Sequence, residues 1–269
     1  MRTNMRTNMN DAGHGGKDSG AIGLNGVKEK DIVLEVSNLV DKYLKQQDIK
    51  NISTRTTDVF LSLNERSNKA NNLGVNSFVS IHCNDSDDPQ AHGLEIFCYK
   101  FKYRELADCI LSELKADNLY TRLREGGVKE KNLHVVRETN MPACLIELGF
   151  ISNREDYNLI MNNKDRFAKA IAKGICSFNG VKWKETSGSP IESFKNGEYD
   201  GRKAKVIANE LNVRYDRWVD GVSEPAKIGK LKKGDIVDLG YSLKGWVGLH
   251  GFKGNKGFGY VNSKFLELL

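Results

Sequence analysis

From Lys28 to about residue 179 the apolar residues alternate between two periods, and this limits the possible folds more than any other feature. Ile32, Val33, Val36, Leu39, Val40, Tyr43 and Leu44 recur at helical spacing, which predicts an amphipathic helix over about 29–46. Asn51–Thr57 is a short β-branched run. Ser62 with Glu65 forms an S-x-x-E capping box, so a second helix is expected to about Leu73. Ser77–Cys83 reads as a buried strand, Leu94–Tyr99 as another, and about 103–116 as a helix. Leu133–Arg137 and Ala143–Leu148 read as strands, and about 155–161 and 165–178 as helices. Such alternation predicts an α/β sandwich with a largely parallel or mixed sheet.

The pattern then changes. Residues 181–199 lose periodicity and carry Gly188, Ser189 and Pro190, which predicts a linker between a domain at 1–180 and another at 200–269. The last stretch holds short strands with glycine turns (KAKVIA, LNVR, GDIVDLG, GWVGLHG, GFGYV), which predicts a small all-β barrel. Charge follows the same division. Residues 181–269 hold 16 Lys+Arg against 11 Asp+Glu, and residues 1–180 hold the other 25 and 24. A basic tail can meet nucleic acid, an anionic membrane or an anionic wall polymer, or can simply aid solubility.

The N-terminus, MRTNMRTNMN, repeats MRTN and is polar where an α/β domain would place an apolar strand. An unusual edge strand, an alternative start or an expression remnant would each explain it. It has no apolar core of the kind a secretory signal needs, and no apolar run approaches ~18 residues, so synthesis in the cytoplasm without a membrane span is expected. The five cysteines are odd in number and none forms C-x-x-C, so reduced buried thiols are expected rather than a disulfide framework or cysteine-ligated zinc.

Two histidines stand in unusual settings. His14 is flanked by glycines in Asp11-Ala12-Gly13-His14-Gly15-Gly16, where the backbone can turn sharply and present one imidazole at a strand end. His82 closes the strand SFVSIH, and open α/β sheets place ligands beyond the carboxyl ends of their strands. Alternation turns Cys83 away from His82. Glu29 opens the first helix, and Glu147 interrupts the apolar run Ala143–Phe150, where a carboxylate is costly unless paired, protonated or near a metal. Two His and a Glu with an open water position, served by a further Glu as general base, form a zinc hydrolase set. Each residue also has a plain structural reading, Glu29 as a helix-dipole partner for example. There is no H-E-x-x-H, no G-x-S-x-G and no phosphate loop of the G-x-x-x-x-G-K-[ST] type.

At these residues the chain resembles the zinc-dependent N-acetylmuramoyl-L-alanine amidases of the amidase-3 family. The resemblance spans about 11–179 in four blocks, DAGHGGKDSGAIGLNGVKEKD, TRTTDVFLSLNERSNKAN, SIHCN and VVRETNMPACLIELGFISN. It implies a mixed sheet between helices, with His14, Glu29 and His82 as zinc ligands and Glu147 as the catalytic glutamate. The implied reaction is hydrolysis of the amide between N-acetylmuramic acid and L-alanine in peptidoglycan. Arg137 can orient Glu147 or the anionic stem peptide, or form a surface ion pair, and Asn84 can support the site. His92 and His134 receive no role. Residues 200–269 resemble bacterial SH3-like wall-binding domains, with Trp218, Trp246 and Tyr260 as a recognition surface from which at least one is expected to be core. These resemblances imply peptidoglycan as the partner of both domains, with nucleic acid set aside. They imply action at the cell wall after release, as a phage endolysin or bacterial autolysin. A wall-binding protein with a dead enzymatic domain and a zinc peptidase cutting within the stem peptide are the alternatives. The polar lead-in departs from the apolar first strand of the family and puts the support of His14 in question.

Overall fold

The computed structural model describes residues 6–184, 194, 196–218 and 223–269. The first MRTN copy and most of the expected linker lie outside them. The chain divides into two compact units, Met1–Glu185 and Thr186–Leu269.

The first unit has strands β1 (Arg6–Ala12), β2 (Ile49–Ser53), β3 (Ser77–Asn84), β4 (Leu94–Cys98), β5 (Leu123–Glu130) and β6 (Ala143–Phe150). Its helices are α1 (Glu29–Leu44), α2 (Leu63–Leu73), α3 (Glu105–Ala116), α4 (His134–Arg137) and α5 (Arg154–Phe178). The strands form one mixed sheet in the order β2-β1-β3-β6-β4-β5, in which only β4 and β6 run antiparallel.

Period-2 alternation divides each strand between two cores. Val79, Ile81, Cys83, Ile96, Cys144, Ile146 and Leu148 pack with α1, α3 and α5. Met9, Phe78, Phe97, Ala143 and Leu145 pack on the opposite face with Ala70 of α2 and with Val135 and Val136 of α4. The capping box at Ser62 and Glu65 forms, and Gly74 ends α2 in the left-handed region. The two helices expected over 155–178 are one element interrupted at Asn163, whose φ is −131°.

β1 is an interior strand rather than an edge. Its polar residues Asn8, Asn10 and Asp11 are buried, and neighbouring elements supply partners. Asn8 Nδ2 donates to Asn51 Oδ1 at 2.8 Å, and Ser77 Oγ donates to Asn8 Oδ1 at 2.7 Å. Asp11 accepts from Thr54 and Ser80, each at 2.7 Å, and pairs with Arg66 at 2.7 Å. A polar strand is tolerated here because its buried groups, with the exception of Asn10 Nδ2, find partners. The segment expected as a strand at Leu133–Arg137 is instead the single helical turn α4. Its β-branched pair Val135 and Val136 is buried in that conformation. β5, polar and glycine-interrupted, escaped the periodicity altogether.

The second unit is all-β. Its strands are β7 (Gly197–Glu198), β8 (Lys203–Val206), β9 (Glu210–Arg214), β10 (Lys227–Lys232), β11 (Ile236–Leu243), β12 (Trp246–Leu249), β13 (Gly259–Asn262) and β14 (Leu266–Leu268). Among the described residues they follow the path β10-β9-β13-β12-β11-β8-β14, with β7 on β11. Alternate residues, Ala204, Val206, Leu211, Val213, Val237 and Leu239 among them, form its core.

Candidate metal centre

The turn after β1 carries His14 in the left-handed region, at φ +57°. A non-glycine residue there is strained and needs support. Two buried guanidiniums provide it. Arg66 Nη1 donates to Ala12 O at 2.7 Å and Nη2 to His14 O at 2.6 Å. Arg55 Nε donates to Ala12 O at 3.0 Å, and its Nη2 reaches Gly13 O at 2.7 Å and Lys30 O at 2.9 Å. Arg55 thus ties the histidine turn to the first turn of α1. Two glycines make room: a Cβ on Gly13 would meet the His82 ring at 2.2 Å, and one on Gly20 would meet Glu29 Oε2 at 2.5 Å.

Within this frame His14, Glu29 and His82 converge, with one donor atom from each within 4.8 Å of the others. His14 Nε2 lies 3.1 Å from Glu29 Oε2, and His82 Nδ1 lies 2.9 Å from Glu29 Oε1. Tetrahedral ligation at ~2.1 Å places donors roughly 3.4 Å apart, so the group is close to the size a zinc ion needs. Ala21 N and Cys83 N, each at 3.0 Å, also donate to the Glu29 carboxylate and fix its plane. Asp18 accepts from His14 Nδ1 at 2.9 Å, which leaves Nε2 facing the cluster.

The charges respond to one another. Burial raises the Glu29 pKa, but hydrogen bonds and charge from both histidines outweigh it and hold the carboxyl far below the usual range. Burial lowers His14, yet Glu29 and Asp18 lift it to about 9. His82 is likewise raised, burial being outweighed by Glu29 and Glu147.

Glu147 stands beside His82 on the neighbouring parallel strand, in direct register. Its Oε2 is buried and has no hydrogen-bond partner. Burial first, then the charges of Glu29 and Glu95 against that of His82, push its pKa up to about 7. An orphaned carboxylate oxygen beside a His, Glu, His cluster suits a bound water or substrate group at that point.

The remaining candidates separate. Asn84 Nδ2 donates to Glu95 Oε2 at 2.6 Å, and Glu95 is the cross-strand neighbour of Glu147. Lys129 at 2.7 Å and Arg124 at 3.1 Å complete the shell of Glu95. Arg137 is exposed and bonded to Glu138 at 2.5 Å and Asn132 at 2.7 Å, and Glu147 is not among its partners. Tyr260 is 1% exposed, with its hydroxyl shared with Tyr241 at 2.8 Å and donated to Asn255 O at 3.0 Å, so it is core rather than recognition surface. Trp246 instead lines a groove of about 310 Å³ with Trp218, Arg214, Lys264 and Phe265.

Sequence reasoning assigned no role to Asp18, Arg55, Arg66 or Glu95. The signal for the first was a carboxylate four residues beyond a glycine-flanked histidine. Arg55 and Arg66 lay in the 54–71 block, which carried resemblance without visible chemistry.

The N-acetylmuramoyl-L-alanine amidase family, Amidase_3, matches residues 9–177. The YqiI protein of Bacillus subtilis (strain 168) is 42% identical over 175 residues, 62% of this chain and 82% of that one. The endolysin of Bacillus phage SPP1 is 36% identical over 219 residues, 78% of each chain. The catalytic domain of CwlV, an N-acetylmuramoyl-L-alanine amidase from Bacillus (Paenibacillus) polymyxa var. colistinus, superposes with a TM-score of 0.63 at 35% identity. It covers 66% of this chain and all of that one.

Proposed function

Because the chain belongs to the Amidase_3 family of N-acetylmuramoyl-L-alanine amidases, we propose that it is a zinc-dependent peptidoglycan amidase whose second unit binds the wall. The observation that carries this reading is the convergence of His14, Glu29 and His82 beside the unpartnered Oε2 of Glu147. The three ligands would hold zinc through His14 Nε2, His82 Nδ1 and the Glu29 carboxylate. When bound, zinc supplies Lewis acidity toward the scissile carbonyl and acidifies water.

The chain's own groups do the rest. Glu147, with a pKa raised to about 7 by burial, is poised to take a proton from the attacking water and return it to the leaving amine. Asp18 fixes the His14 tautomer, and Arg55 and Arg66 fix the backbone that carries His14. Glu95, clamped by Lys129, Arg124 and Asn84, lies next to Glu147, and its charge favours the protonated form of Glu147. The reaction splits the amide between the lactyl group of N-acetylmuramic acid and L-alanine.

In the second unit, the Trp218 and Trp246 groove and the basic balance of the tail support attachment to an anionic wall polymer. No helix among the described residues is long and apolar enough to cross a membrane. We place the site of action at the bacterial cell wall. Purified wall incubated with zinc-loaded protein should release L-alanine amino groups and no reducing sugar. New reducing ends would replace the amidase reading with a glycosidase.

A further inference from the structure

The two faces of the catalytic sheet are unequally covered. Among the described residues three helices pack on one, whereas only α2 and the single turn of α4 pack on the face that bears His82, Glu95 and Glu147. From the triad a groove of about 370 Å³ runs along this thinner face. Leu145 lines it with Phe60, Leu63, Leu133, Val135 and His134. Phe60 and Leu63 remain 41% and 56% exposed, although nothing in their own packing favours leaving such side chains in water.

Beyond His14, His82 and the Asp11-paired Arg66 in its lining, three cation-capable groups stand along or beside it: Lys17, whose Nζ lies 4.7 Å from the Phe60 ring centroid, His134 and Lys131. His134 lines the groove, with Nε2 held 3.4 Å from Ser67 Oγ. Lys131 stands on the neighbouring side: its Nζ lies 4.5 Å from the Phe97 ring centroid, and Phe97 is in register with Leu145. The charge of Lys131 is felt at Glu147. Lys129 and Arg124 are already paired with Glu95, whereas Lys131 is exposed and has no carboxylate partner among the described residues. An ammonium resting on a buried ring is partly desolvated, which strengthens any bond it makes to a carboxylate.

The aliphatic walls discriminate between the two arms of the substrate. A glycan offers a dense set of hydroxyls and needs many polar partners, whereas of the polar groups lining this groove Asp11 and Arg66 are paired with each other and Asp18 with His14. The other arm is a peptide that starts with an alanine methyl and carries carboxylates. We infer that the groove holds the stem peptide, with Lys131 pairing with a peptide carboxylate and His134 hydrogen-bonding the peptide. This rests on the amidase reading above, and it moves to Lys131 and His134 the stem-peptide contact that the sequence suggested for Arg137.

The test uses two disaccharide tetrapeptides that differ only at the second residue, one bearing the free carboxylate and the other its amide. Lys131→Gln should raise KM for the acid about tenfold, the size of one charge-assisted hydrogen bond. It should leave kcat, and both constants for the amide, within about twofold, as expected when only binding of one carboxylate is lost. His134→Ala should raise KM for both substrates. In parallel, calorimetry of the free acidic tetrapeptide with metal-free protein should show about tenfold weaker binding for Lys131→Gln. Equal losses on acid and amide would overturn the assignment. So would displacement of the peptide by peptide-free glycan chains, which would give the groove to the sugar. Failure of the wild type to cleave either substrate would remove the amidase reading, and the calorimetric arm would still decide the groove.

Discussion

Replacing Arg66 by methionine keeps the aliphatic stem and removes the only cation bonded to Asp11 among the described residues. Both side chains are buried, 3% and 1% exposed, and they meet at 2.7 Å. Removing one partner of such a pair costs about 3–5 kcal/mol, because the remaining charge is left uncompensated. For a unit of this size that is a fall of roughly 6–20 °C in its unfolding transition. The pH dependence identifies the cause. Burial raises the Asp11 pKa, but Arg66, Ser80 and Thr54 more than offset it and hold the carboxyl below its ordinary value. Its stabilising contribution is therefore present above about pH 3.9 and is lost as pH falls through the lower folded value. Without Arg66, burial dominates, and the folded pKa lies above the unfolded one. The variant is then penalised most at neutral pH and recovers toward the wild type as pH falls from 7 to 5. Asp11→Asn in the Arg66→Met background should restore part of the loss at pH 7. The assay is scanning calorimetry of the full chain at several pH values, following the larger unit. A deficit below about 1 kcal/mol, the worth of an exposed pair, would refute the reasoning, as would one that widens on acidification.

Asp18→Asn should weaken zinc binding about 10–100-fold with an unchanged circular dichroism spectrum, since it removes the group that orients His14. Because the His14 pKa is raised to about 9 in the metal-free protein, zinc must displace a proton below that pH. Zinc affinity should therefore climb between pH 6 and 9, by up to about tenfold per unit for each proton displaced, with proton release detectable by calorimetry in buffers of different ionisation enthalpy. Glu147→Gln should lower kcat by about 10²–10⁴ while retaining zinc. Its unfolding midpoint should match or exceed that of the wild type, because the lost charge is buried and unpartnered.

The helices over 29–44, 63–73 and 105–116 and the strands that end in His82 and Glu147 were legible because their apolar residues keep one period. Of the four proposed reactive residues, His82 and Glu147 stood out as polar groups in apolar strands and His14 by its flanking glycines, whereas Glu29 sits where a helix-start carboxylate is ordinary. β1 was obscured because its stability comes from long-range pairs, Asn8 to Asn51 and Asp11 to Arg66, which local pattern cannot contain. Its formation as an interior strand removes the motive for reading the catalytic unit as a dead enzyme. α4 is too short to display a helical period, so its β-branched valines read as a strand. Tyr260 and Trp246 lie on the same face of the paired strands β12 and β13, and Tyr260 is buried by long-range contacts such as that with Tyr241, which no local spacing announces. The roles of Arg55 and Arg66 depend on backbone carbonyls brought together by the fold, so no spacing in the sequence announces them.

The central claim is that Glu147 and the His14, Glu29, His82 centre open the bond between the lactyl group and L-alanine. Mass spectrometry of the fragments released from defined muropeptides tests it most directly. The account predicts a sugar bearing a free lactyl carboxyl and a peptide whose first residue is alanine, formed with zinc and absent after chelation. A sugar that keeps its alanine would contradict it and assign the same centre to a peptidase.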